Sequence, residues 1–247
     1  GIYLEGANLS PTIQNTSISS NLGTGNQYGY AIYQATINMK ATYNNLTFTG
    51  NTVDKVMVLA EGLTGNVTLG GAPIGFRCGF TNCPITIPTG TTLTIQPGAQ
   101  VDMSNAPTYL DVQNGGSLIA EGTEPQRIGI FKGGIKLQAG SQASMKYFYL
   151  EGRKGIGGVY VGLEIYTDQV QLEHAYITNA ASEGIYIKTP ASTTFTFNFI
   201  DVISIGNGRE GIYLEARDGS VLNFNLNGGN ISNNGYSGIY TYTMGGA

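Results

Sequence analysis

The sequence contains no tryptophan, one histidine (His174) and two cysteines, and only 11% of its 247 residues are charged. Each shortage closes off a class of function. One histidine and two cysteines fall short of the four ligands that a structural zinc site needs, so no metal centre is expected. Lys and Arg form no cluster that could track a phosphate backbone, and the net charge is −4, so no nucleic acid partner is expected. No run approaches the ~20 apolar residues of a membrane span, and no charged N-terminal region leads into an apolar stretch. Membrane insertion and a targeting segment are therefore not expected.

What is plentiful points one way. Glycine (37 residues) and tyrosine (16 residues) are abundant, the turn-rich and aromatic usage of all-β solenoids. The segment Gly184-Ile185-Tyr186-Ile187-Lys188 returns as Gly211-Ile212-Tyr213-Leu214-Glu215 and, after an identical interval, as Gly238-Ile239-Tyr240-Thr241-Tyr242. Looser copies are Gly158-Val159-Tyr160-Val161 and the opening Gly1-Ile2-Tyr3-Leu4-Glu5. Within each copy apolar and polar residues alternate, the period of a strand with one buried face. Ile185, Ile212 and Ile239 are expected to stack inside, and Tyr186, Tyr213 and Tyr240 outside. Before the later copies come Ile177-Thr178-Asn179, Ile205-Gly206-Asn207 and Ile231-Ser232-Asn233, with related versions at Ile18 to Asn21 and Phe48 to Asn51. Asn tolerates the left-handed backbone of a corner, and stacked amides can hydrogen-bond along a solenoid axis.

The middle of the chain carries another motif. Ile85-Thr86-Ile87, Leu110-Asp111-Val112 and Ile135-Lys136-Leu137 recur at one fixed interval, each followed at one offset by Gly90, Gly115 or Gly140. Three glycines in register imply one backbone corner used three times, since glycine alone enters positive φ without steric cost. Repeats of about 25 residues in the middle and about 27 residues later predict a parallel β-helix of nine or ten coils, one domain over 1–247. Parallel crossovers favour the right-handed form; the alternative is a sandwich with coincidental repetition. The opening at Gly1, inside a repeat, reads as a processed or excised part of a longer secreted chain.

The stretch from Leu93-Thr94-Ile95-Gln96-Pro97-Gly98 to Gly115-Gly116-Ser117-Leu118-Ile119-Ala120-Glu121-Gly122-Thr123 resembles the opening coils of right-handed β-helix surface proteins of the pectate-lyase-like superfamily. The Gly-Ile-Tyr coils resemble that superfamily's later repeats. The resemblance is one of fold. It implies polysaccharide lyases, hydrolases, tailspikes, adhesins or structural surface proteins, and for the enzymes a groove with acidic residues and a Lys or Arg along one sheet.

Stacking the repeats places Tyr160, Tyr186, Tyr213 and Tyr240 in one outward column and Gly162, Lys188, Glu215 and Tyr242 in the next. Glu183 and Glu210 sit just before the strand, with Arg209 and Arg217 nearby. Lys188 and Glu215 read as an exposed cross-strand ion pair, and Glu183 and Glu210 as solvated turn residues; the open alternatives are catalysis and a shared calcium ion. His174 reads as a solvated coil residue. The tyrosine column serves ring stacking between coils, a protein contact or a glycan. Cys78 and Cys83 suit a disulfide closing a loop, with free thiols as the alternative. Sequons at Asn8, Asn15, Asn45, Asn66 and Asn230 fit an extracellular chain.

The function expected is therefore an extracellular structural or adhesive surface protein, a rigid rod that assembles with copies of itself or other surface proteins. The rivals are a polysaccharide lyase or glycoside hydrolase and a glycan-binding module. The similar end motifs at Gly1 and Gly238 suggest strand register in a head-to-tail contact.

Overall fold

The computed structural model describes residues 1–23, 29–78, 83–104, 109–152 and 161–245. Among these the regular structure is all strand, and every strand-to-strand pairing is parallel. The strands stack as a β-solenoid with three walls. Wall A holds Ile85–Ile87, Tyr109–Val112, Gly134–Leu137, Leu163–Ile165, Ile185–Lys188, Ile212–Arg217 and Ile239–Met244. Wall B runs from Val67–Leu69 through Thr92–Ile95 and Ser117–Glu121 into the first halves of the long strands Gln142–Glu151, Val170–Thr178, Thr194–Ile205 and Val221–Ser232. The second halves of those strands continue wall C, which begins at Ile2–Leu4. In the first coils, Thr12–Ser19 and Thr42–Thr49 pair as a separate two-stranded sheet.

The expected count of nine or ten coils came from repeat length alone. Among the described residues ten rungs occur only on wall C, whereas walls A and B carry seven each, so the solenoid makes about eight turns. The two motifs seen in the sequence are one wall. Ile135 is paired with Leu163, and Leu163 with Ile185, so the middle block runs directly into the Gly-Ile-Tyr block.

Alternation places the core. Ile85, Leu110, Ile135, Leu163, Ile185 and Ile212 stack inward at 2% exposure or less, and Ile87, Val112, Leu137, Ile165 and Ile187 form a second buried row. Ile239 keeps the register but is 46% exposed, because it belongs to the last described coil of the wall. Phe195, Phe197, Phe199 and Phe224 fill the interior under the long strands, edge to face at 5.3–6.0 Å between ring centres.

Corners are where the chain departs from ordinary strand geometry. Gly90, Gly115 and Gly140 have φ of 75, 70 and 75°, and the Gly90 amide donates to the Gly115 carbonyl as the Gly115 amide does to Gly140. The repeated glycine corner is thus present as expected. The asparagine corner needs a correction of one residue. Thr178 is paired with Ile205 and Ile205 with Ser232, so the left-handed position is Asn179, Gly206 and Asn233, and Asn207 aligns with Asn234 instead. The two roles assigned to one asparagine are divided between neighbours. Asn207 Nδ2 donates to Asn234 Oδ1 at 2.9 Å, while its Oδ1 accepts from the buried Ala180 amide. In the first coils Ser20 and Gly50 take the left-handed conformation, and Asn21 Nδ2 donates to Asn51 Oδ1 at 2.6 Å.

The opening Gly-Ile-Tyr copy also belongs elsewhere. Ile2–Leu4 lies in the wall C ladder, paired with Ile32–Gln34, whereas Ile239–Met244 lies in wall A. Their likeness as sequences does not make them equivalent rungs.

Candidate functional site

The richest polar surface is the outer face of wall A. Reading up its first column, Thr86, Asp111, Lys136, Glu164, Tyr186, Tyr213 and Tyr240 are in register. The next column carries Lys188, Glu215 and Tyr242, preceded by Gln138 and Tyr166 just after the paired Leu137 and Ile165. Tyr160 lies outside the described residues. The residue that faces Tyr186 on the preceding coil is Glu164, so the column does not begin as the sequence suggested. Gly162 is likewise not beside Lys188: its amide donates to Glu183 O, and its carbonyl accepts from Ile135. The copy that matters is Gly162-Leu163-Glu164-Ile165.

Tyr186, Tyr213 and Tyr240 do stack, with ring centres 5.3 and 5.2 Å apart and planes tilted by 47 and 39°. At this spacing and tilt each ring is in contact with its neighbour along the column. Tyr166 meets Tyr186 edge-on at 6.2 Å.

Two tyrosine hydroxyls at this surface, those of Tyr186 and Tyr166, are engaged by carboxylates. Tyr186 donates to Glu215 and Tyr166 to Glu164. Glu215 is buried, at 6% exposure, which corrects the expected exposed pair: Lys188 stands 3.6 Å away, and Arg217 Nε donates to the same carboxylate. Burial pushes the Glu215 carboxyl upward, but the hydrogen bonds from Tyr186 and Arg217 and the charge of Lys188 outweigh it and leave the group below its ordinary value. It is an ionised anchor at neutral pH, unsuited to proton donation. Burial first, then the hydrogen bond to a carboxylate, raises Tyr166 and Tyr186 well above the ordinary tyrosine value.

Glu183 and Glu210, expected to be solvated, are buried on adjacent coils at 7 and 6% exposure. Arg209 bridges them, with Nη1 3.2 Å from Glu183 Oε1 and Nε 3.9 Å from Glu210 Oε2, and its guanidinium lies 5.5 Å from the Tyr236 ring. Among the described residues no group of three or more His, Cys, Asp or Glu forms a metal cluster, so a calcium ion here would find two carboxylates already neutralised in part by arginine.

His174 is also placed differently from expectation. It sits at a left-handed corner, φ 49°, in a stack with Tyr147 below at 4.5 Å and Asp201 above, whose Oδ2 is 3.2 Å from Nδ1. Tyr147, Asp201 and Gly228 share the positive φ, so one bend recurs on four coils within continuous strands. Cys78 and Cys83 lie at disulfide distance, with Cα atoms 5.9 Å apart. All five sequon asparagines are exposed, and Asn45 Nδ2 donates to Asn15 Oδ1 at 2.8 Å.

Sequence reasoning missed Asp111, Lys136, Glu164 and Tyr166 as parts of this surface. The signal was present for two of them: Asp111 and Lys136 occupy the outward centre of the middle motif, and only its separation from the later motif hid the continuity. Comparison with family models, with curated proteins and with solved structures finds no match to this chain. The resemblance to pectate-lyase-like proteins stands at the level of the parallel β-solenoid.

Proposed function

We propose that this chain is a structural or adhesive element of an extracellular surface, a rigid β-helical segment akin in fold to pectate-lyase-like surface proteins. One observation carries the reading: the charged side chains of the walls are used to tie one coil to another. Lys136 faces Glu164, Lys188 faces Glu215, Lys132 faces Glu151 and Lys146 faces Glu173, and Lys55 reaches across to Asp102. Apart from Lys188–Glu215, whose carboxylate is buried, each pair is worth about 1 kcal/mol or less, but together they favour one register over its neighbours. An extracellular setting is supported by the cysteine pair and by the exposure of Asn8, Asn15, Asn45, Asn66 and Asn230. Partners would be copies of this chain or other surface proteins, met laterally. In a head-to-tail contact, Ile2–Leu4 would be in line with Ile231-Ser232-Asn233 at the end of the wall C ladder rather than with Ile239–Met244.

The rival is a polysaccharide lyase or hydrolase. It would need a carboxyl held protonated or a free base, and Glu215, the most enclosed carboxylate of wall A, has the opposite poise. The decisive assay incubates the purified chain with a panel of neutral and acidic polysaccharides and reads reducing ends and unsaturated uronides. No release above a heat-inactivated control is expected. Sustained release, abolished by Glu215→Gln, would replace the structural reading with an enzymatic one.

A further inference from the structure

Two rungs of wall A pair Tyr213 with Tyr240 residue to residue, and their ring centres are 5.2 Å apart with planes tilted by 39°. Neighbouring strands lie about 4.8 Å apart, so the sheet itself sets this separation and keeps it. Both rings stand outside the core, Tyr213 half-buried and Tyr240 42% exposed. The third ring of the column is held differently, because the Tyr186 hydroxyl donates to Glu215. The hydroxyls of Tyr213 and Tyr240 have no hydrogen-bond partner among the described residues, so no hydrogen bond fixes either ring.

Two phenols placed in this way can undergo one reaction that needs no further group from the protein. A one-electron oxidant takes an electron and a proton from each ring. The two phenoxyl radicals then join through carbons ortho to their hydroxyls, and the hydrogens on those carbons move to the oxygens and restore both hydroxyls. With hydrogen peroxide as oxidant and a peroxidase as its catalyst, two phenols and one peroxide give one biphenol and two waters. Tyr240 is open to solvent and its ring lies against that of Tyr213. A radical formed on Tyr240 can therefore pass to Tyr213 before Tyr240 is oxidised a second time.

We propose that Tyr213 and Tyr240 are the site of a dityrosine cross-link, formed by a peroxidase and hydrogen peroxide, that joins two coils of wall A covalently. Its purpose, to lock a rod against unwinding, rests on the structural reading; its chemistry does not. Absence of the cross-link and cleavage of a polysaccharide are thus separate failures.

The test treats the parent chain, Tyr240→Phe and Tyr176→Phe with a haem peroxidase and hydrogen peroxide at low protein concentration, then digests the monomer with trypsin. In the parent, the peptide from Glu210 to Arg217 is expected to be joined to the peptide that begins at Asp218, two hydrogens lighter than the separate pair, with fragmentation placing the bond at Tyr240. Tyr3 and Tyr33 also meet in register, 5.4 Å apart, so the joined peptide decides the matter rather than total dityrosine fluorescence. It is expected to be lost in Tyr240→Phe and kept in Tyr176→Phe, whose ring belongs to wall C. Oxidation should also raise the urea midpoint of the parent, and by less in Tyr240→Phe, because a cross-link restricts the unfolded chain. A parent monomer without the joined peptide, a bond that maps to Tyr236 or Tyr242, or a joined peptide confined to covalent dimers overturns the proposal. An equal rise in midpoint for Tyr240→Phe overturns the locking role.

Discussion

The early and late coils solve one problem in two ways. From Ile177 to Ser204 to Ile231 on wall C, and from Ile185 to Ile212 to Ile239 on wall A, each rung follows the last after the same length of chain. In the early coils the ladder steps from Ile2 to Ile32, then Val56, then Ile74, and the interval shortens at every step. Constant spacing lets like residues fall on like, so that tyrosines, phenylalanines and the Asn207 and Asn234 amides form columns. Where the spacing varies, each coil needs its own fit. Gly75 shows how: a Cβ there would come within 2.6 Å of both Lys55 Cδ and Met57 Sδ, which use the space above the strand.

If the late coils derive their stability from repeated inward columns, a charge in one column should be the most damaging change. Ile212→Asp puts a carboxylate at a position of 0% exposure between Ile185 and Ile239, and a loss of about 4 kcal/mol or more is expected. A urea midpoint equal to the parent's would show that Ile212 does not face the core.

The two asparagine ladders offer a finer comparison. Asn207 is only 3% exposed and satisfies the buried Ala180 amide, whereas Asn21 belongs to an exposed corner. Asn207→Ala is expected to cost about 3 kcal/mol and Asn21→Ala about 1 kcal/mol, read from chemical denaturation. Equal losses would mean that regular spacing adds nothing to an amide ladder.

The smallest expected effect is a pH dependence. Because the folded Glu215 lies below its ordinary value, its contribution is present above the unfolded carboxylate value of about 4.3 and is lost as pH falls through the lower folded value. Glu215→Gln should therefore flatten the acid limb of a stability profile while leaving the slope above about pH 6 unchanged. An acid limb identical to the parent's would remove Glu215 as its source.

Which parts of this were legible in the sequence follows from what repetition can encode. The inward isoleucines, the tyrosine column and the corner at Gly90, Gly115 and Gly140 were readable because a residue type returns at a fixed interval. The equivalence of the middle and late blocks was not, because wall A takes a longer step from Ile135 to Leu163 and then a shorter one to Ile185. That uneven pair of steps hid Glu164 behind the looser copy at Tyr160 and hid Tyr166 altogether. The burial of Glu183, Glu210 and Glu215 was illegible for another reason. A carboxylate looks solvated in sequence when part of what encloses it comes from the neighbouring coil, as Arg209 does for Glu183 and Tyr186 and Lys188 do for Glu215.

Every coil closes on the one before it, so most contacts span one repeat, with Lys55–Asp102 and Arg127–His174 reaching across two. The entropy of closing such a loop grows only as the logarithm of its length, so the long coil from Ile2 to Ile32 is hardly harder to close than the short one from Val56 to Ile74. Irregular spacing therefore weakens side-chain columns without much hindering the winding itself. The chain is then a one-dimensional folder, in which the slow event is the first pair of apposed coils and each later coil adds to an existing template. The longest apposition among the described strands is Thr194–Ile205 with Val221–Ser232, so the late coils are the expected seed, and substitutions there should slow refolding more than substitutions in the first coils.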